Sequence, residues 1–100
     1  METLEQKVYS GEKAREVLDN EAFQWAVDEI DKELTEAWKF SPARDADGRE
    51  RIFLMQQMLY KMQQALKTTL ETGQLAKEEL RYKQSLADRA KESLQRFVPF

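Results

Sequence analysis

The sequence predicts an all-α protein: a small helical bundle built on a long antiparallel αα-hairpin, about 48–72 and 75–97. A third long helix over about 21–39 and a short N-terminal one complete it. Three observations carry this expectation. Apolar residues recur at helical spacing through most of the chain. The longest such run has a start signal at Asp47 and a stop signal at Gly73. One proline-bearing loop, Ser41 to Ala46, separates two long periodic stretches.

The stretch from Asp47 to Thr72 is the element around which the other helices are expected to gather. Asp47 is a suitable N-cap, and Glu50 three residues later completes a capping box. On a wheel of about 100° per residue, Ile52, Met55, Met58, Leu59, Met62, Ala65, Leu66 and Leu70 share one broad face. Phe53 and Tyr60 fall on the other side with Gln56, Gln57 and Gln64. Apolar groups on two sides imply neighbours on two sides, so this is the expected central helix of the domain; the alternative is that the Phe53 and Tyr60 side meets another chain. Gly73 suits a left-handed C′ position, because glycine has no Cβ to clash there. A tight turn at Gly73 would fold two arms of roughly 35 Å each against one another.

The first ten residues carry apolar groups at Leu4, Val8 and Tyr9 and read as a frayed turn or docking arm. Ser10 and Gly11 open a short helical piece from Glu12 to Leu18, which Asp19 and Asn20 end. Asp19 and Asn20 also supply a cap for the helix from Glu21 to Lys39, whose stripe is Phe23, Ala26, Val27, Ile30, Leu34, Ala37 and Trp38. Trp25 lies about 200° from Phe23, among Glu21, Asp28, Glu29, Lys32 and Glu36, and is a candidate binding anchor unless the short first helix or the N-terminal arm covers it. In the last helix, about Leu75 to Phe97, the residues Leu75, Ala76, Leu80, Leu86, Ala87, Ala90, Leu94, Phe97 and Val98 share a face. The chain finishes Phe97, Val98, Pro99, Phe100, an apolar tail suited to a partner's groove or to folding back on the hairpin.

One hundred residues make a single helical domain, 1–100, small enough that a partner or a second copy would add usefully to its stability. The chain has no cysteine and no histidine, which removes disulfides, thiol nucleophiles, imidazole bases and the common zinc sites. No run of about 18 apolar residues is present, so neither a signal peptide nor a membrane span is expected, and the expected location is cytoplasmic. The net charge of −3 conceals an asymmetry. Residues 1–48 carry 6 basic and 13 acidic side chains, and residues 49–100 carry 10 basic and 6 acidic. Acidic and basic parts that lie beside each other would neutralise one another. Contact of the basic half with phosphate is the alternative, though Glu78, Glu79, Asp88 and Glu92 interrupt it.

Chemistry finds little support in the residues. Glu33 and Glu36 form an E-x-x-E pair of the type that helical magnesium-dependent pyrophosphohydrolases use, but no matching acidic pair stands on a second helix. Asp45, Asp47 and Gly48 fall out of register with a calcium loop. The 41–46 loop joins two long helices and does not make a helix-turn-helix. The expectation is therefore a protein that is not an enzyme and has no cofactor or metal. It would act by helix-face packing, with Trp25, Phe53, Tyr60, Phe97 and Phe100 as partner-binding residues.

At Trp38-Lys39-Phe40-Ser41-Pro42, followed by Asp47, Arg49-Glu50, the Leu/Met helix to Gly73 and Leu75-Ala76, the chain resembles small helical proteins of tailed-bacteriophage head and packaging gene clusters. The pattern covers about residues 11–80. The Trp-x-Gly turn of the secreted WXG hairpins is absent, since Lys39 and Phe40 follow Trp38. The resemblance implies an assembly protein that associates with itself or a protein partner, in the host cytoplasm or the virion. A small phage inhibitor or adaptor that occupies a host protein, or nucleic-acid contact through the basic half, are the alternatives.

Overall fold

The computed structural model describes residues 2–97, and the side chains of residues 2–96. Those residues form three helices and no strand: α1 (Leu4–Leu18), α2 (Glu21–Phe40) and α3 (Ala46–Phe97). The all-α class and the helix over 21–39 are as the sequence predicts. The position of the hairpin is not.

α3 runs without interruption through Gly73 for 52 residues, about 78 Å at 1.5 Å per residue. No glycine adopts positive φ, so Gly73 is a helical residue and not a C′ stop. The predicted arms 48–72 and 75–97 are thus one helix. The reversal of the chain lies at Ser41 to Asp45, and the opposing arm is α2 followed back into α1. Thr35 receives a hydrogen bond from Gln56 Nε2 at 3.1 Å, while the Arg49 guanidinium stacks 4.1 Å from the Trp38 ring. Rising numbers on α2 therefore meet falling numbers on α3. α1 follows the same rule, because Leu18 lies by Gln63 while Gly11 lies at Thr69 and Gly73. The two shorter helices lie end to end along α3 and barely touch each other. The result is a rod of 86 × 25 × 17 Å.

Local capping explains the boundaries. α1 begins at Leu4, well before the expected Glu12, because Thr3 and Gln6 form a capping box. The Gln6 amide donates to Thr3 Oγ1 at 3.1 Å and the Thr3 amide to Gln6 Oε1 at 2.8 Å. Asp19 and Asn20 break the arm as expected, and Asn20 Oδ1 accepts from the Phe23 amide at 2.9 Å. α3 is capped by Asp45 and not by Asp47: Asp45 Oδ1 accepts from the Gly48 amide at 3.0 Å. Asp47 sits in the first turn, where its charge favours the helix dipole.

The core is thin. Ala14, Val27 and Ala76 are the buried apolar side chains among the described residues, joined by the glycines Gly11 and Gly73. At the α1–α3 crossing the two backbones touch. A Cβ built on Gly73 would lie 2.8 Å from Gly11 Cα and 2.9 Å from the Lys7 carbonyl oxygen. Gly11 is therefore not the opener of α1 but the residue that lets it approach α3. α2 is held more loosely, by Val27, by the half-buried Phe23, Leu34 and Thr35, and by the Trp38–Arg49 stack.

At the tip, Arg49 Nη1 also donates to Ser41 Oγ at 3.2 Å and to the Ser41 carbonyl at 3.4 Å. Lysine in place of Arg49 keeps the charge but loses the planar stack and the fork of donors. Arg49→Lys is expected to cost about 1 kcal/mol, read as a lower urea midpoint at unchanged slope.

Candidate functional site: the open faces of α2 and α3

The side of α3 that meets α2 and α1 is the row Ile52, Gln56, Leu59, Gln63, Leu66 and Leu70, all half-buried. This row has a seven-residue repeat, as for helices that wind around each other. Only part of the expected Leu/Met stripe belongs to it. Ala65 is exposed, and Met55, Met58 and Met62 keep 56%, 66% and 42% of their surface in water. Gln56 and Gln63, polar residues, take the inner positions instead. Their hydrogen bonds, Gln56 to Thr35 and Gln63 Nε2 to the Leu59 carbonyl at 3.5 Å, compensate the burial of the amides.

α2 is turned in the same sense. Its contact side runs through Val27, Leu34 and Trp38, so Ala26, Ile30 and Ala37 of the expected stripe remain exposed, Ile30 at 46%. In an antiparallel pair, the residue preceding each inner position lies on the same side of the pair in both helices. Ile30 and Ala37 of α2 therefore line one side together with Met55 and Met62 of α3, and Met58 extends that side outward. By this helical register the exposed apolar strip, called here the groove, follows the α2–α3 pair from the tip at residues 41–45 toward Leu18. The opposite side of the pair is more polar, with Asp28, Thr35 and Gln56 beside Tyr60.

Beyond Leu80, no other described residue of the chain covers α3. Every residue from Arg81 to Arg96 is exposed, including Tyr82 at 64% and Leu94 at 68%. This overhang is about 25 Å long, 17 residues at 1.5 Å each.

Of the predicted anchors, Trp25, Phe53 and Tyr60 are exposed, at 68%, 54% and 59%. Neither α1 nor the N-terminal residues cover Trp25. The three are not gathered into one patch: Trp25 points away from α3, and Phe53 and Tyr60 lie on the side opposite the groove. Phe100 and the side chain of Phe97 lie outside the described residues. The methionine row and Ile30 were not among the predicted anchors. Their periodicity signalled burial, and periodicity alone does not say whether the burying partner is in the same chain.

No group of three or more acidic side chains among the described residues is arranged to hold a metal ion, and Glu33 and Glu36 have no acidic companions on α3. Among the described residues no helix is long and apolar enough to cross a membrane. Compared with known proteins, the chain matches no protein family, no curated protein and no solved structure.

Proposed function

We propose that this chain is a non-catalytic assembly protein that works by associating with copies of itself through its helix faces. The observation that carries this function is the surface it leaves in water. The chain exposes 8577 Å², whereas a compact monomer of its 11.8 kDa exposes about 5,900 Å². Its radius of gyration is 23.3 Å, against about 13 Å for a compact domain of one hundred residues. The excess of about 2,700 Å² is several times the ~800 Å² that each partner contributes to a standard interface. Much of it is large and apolar, with Met55, Met58, Leu75, Tyr82 and Leu94 more than half exposed. Exposed apolar faces in contiguous rows mark interaction surfaces.

The biological setting we propose is the head or packaging module of a tailed phage, on the basis of the Trp38 to Ala76 pattern. A cytoplasmic or virion location belongs to the same proposal.

Absolute mass by light scattering across a tenfold dilution tests self-association. A mass that is a multiple of 11.8 kDa is expected. A monomer at every concentration would overturn self-association and direct the open faces to a protein of different sequence.

A further inference from the structure

The overhang and the groove correspond in length, in apolar character and in charge. The overhang spans about 25 Å and the groove, from Ala46 to Gln63, about 27 Å. Leu86, Ala90 and Leu94 repeat every four residues and make one apolar row along the overhang. The groove offers Ile30, Ala37, Met55 and Met62 as its lining. A third helix there would give the pair the two-sided burial that it lacks, and methionine side chains adapt readily to the shape of an incoming helix.

The charges agree. Residues 81–97 carry five basic and two acidic side chains, and α2 carries six acidic and two basic. Glu29, Glu33 and Glu36 stand on α2 beyond the apolar lining, where Lys91, which flanks the apolar row of a seated overhang, could reach them. The overhang cannot reach the groove of its own chain, because both lie on one continuous helix and α1 separates them.

We propose that the overhang of one copy seats in the α2–α3 groove of a second copy, a proposal that rests on the self-association put forward above. Each copy carries one overhang and one groove, so either a reciprocal pair or a growing row satisfies every face.

The absence of native cysteine allows the contact to be trapped. Met58→Cys places a thiol on the rim about two-thirds of the way along the groove and Ala90→Cys places one near the middle of the overhang, so the two come within about 8 Å along the axis whichever way the overhang runs, a gap a short bismaleimide spans. Both positions are exposed, so neither variant disturbs the core. Within one chain they are separated by about 48 Å of helix, beyond the reach of a short bismaleimide. A covalent dimer is expected when the two variants are mixed, and little from either alone. As a second variant, Leu86→Glu/Leu94→Glu should weaken association at least tenfold with helicity unchanged. No cross-link in the mixture, together with normal association of the double variant, would overturn this seating. If the wild-type chain is then still oligomeric by light scattering, self-association stands and only the overhang-in-groove arrangement falls. A monomeric wild-type chain overturns both.

Discussion

Replacing Gly73 with leucine detaches α1 from α3. The Cβ alone would stand 2.8 Å from Gly11 Cα and 2.9 Å from the Lys7 carbonyl oxygen, both backbone atoms that cannot rotate aside. Overpacking a well-fitted contact costs about 1–3 kcal/mol even where side chains can adjust. With backbone on both sides, a loss of ~3 kcal/mol or more is expected for the leucine. Two closely packed helices must then separate, and the half-buried Leu4, Val8 and Leu18 of α1 lose their cover with them. Ala14 and Ala76 are buried at the same crossing and need the same close approach. A free helix of 15 residues is marginal in water, so α1 should melt once released. About a sixth of the helical circular dichroism would go with it. Amide hydrogen exchange should show protection lost from Leu4 to Leu18 and retained in α2. Gly73→Ala is the milder form: about 1 kcal/mol of helix propensity gained is set against the same backbone contact, for a net loss. If α1 keeps its protection in the leucine variant, the crossing at Gly11 and Gly73 is not what holds it.

Val27→Asp should do the converse and release α2. Val27 is the one buried side chain of that helix. Removing it forfeits about 1.5–3 kcal/mol of apolar burial. The carboxylate must also either be desolvated without a cationic partner or drive the helices apart. A combined loss of ~3–5 kcal/mol in the docking of α2 is expected. Both tryptophans, Trp25 and Trp38, belong to α2. A red shift of Trp38 emission should therefore accompany release of α2, as its stack with Arg49 opens, and should be absent in Gly73→Leu. The two substitutions act on separate stretches of α3, and α1 and α2 hardly touch, so their effects should add within about 0.5 kcal/mol. A Val27→Asp variant with unchanged tryptophan emission and unchanged urea midpoint would show that α2 is not held at Val27.

Stability is thus distributed in two independent units along one long helix. Substitutions at the two glycines and at Val27 should therefore destabilise the chain, while those in the exposed methionine row should not. It also separates folding from function. A substitution at Met58 or Leu94 should leave the rod intact and alter only what it binds. One at Gly73 removes an arm.

Much of this was legible in the residues. The helix from Glu21 onward is set by the Asn20 cap and by its stripe, and the chain break at Pro42 follows from a ring that cannot continue a helix. α1 could have been placed correctly too, since Thr3 and Gln6 have capping-box spacing. The exposure of Phe53 and Tyr60 follows the alternative reading of the pattern, since the main one places a helix of the same chain against that side. What the sequence did not reveal was the fate of Gly73, the inner position of Gln56 and Gln63, and the openness of Met55, Met58 and Met62.

Local sequence by itself determined that this protein is helical, where its two shorter helices break and that a loop separates two helices at Ser41 to Asp45. Those are decisions of caps, proline and hydrogen bonds within a few residues. Only the tertiary structure decided that α3 continues through Gly73. A glycine in a helix interior costs about 1 kcal/mol, whereas at C′ it is favoured, so local preference alone would end the helix there. At Gly73 that cost is offset because the backbone of α1 at Gly11 needs the space a side chain would fill, 62 residues away in sequence. The same holds for the faces. A helical period marks which residues can be buried together, but which of them are covered depends on the angle at which α1 and α2 settle. That angle is set by the glycine crossing and by the Thr35–Gln56 and Trp38–Arg49 contacts, none of which is local.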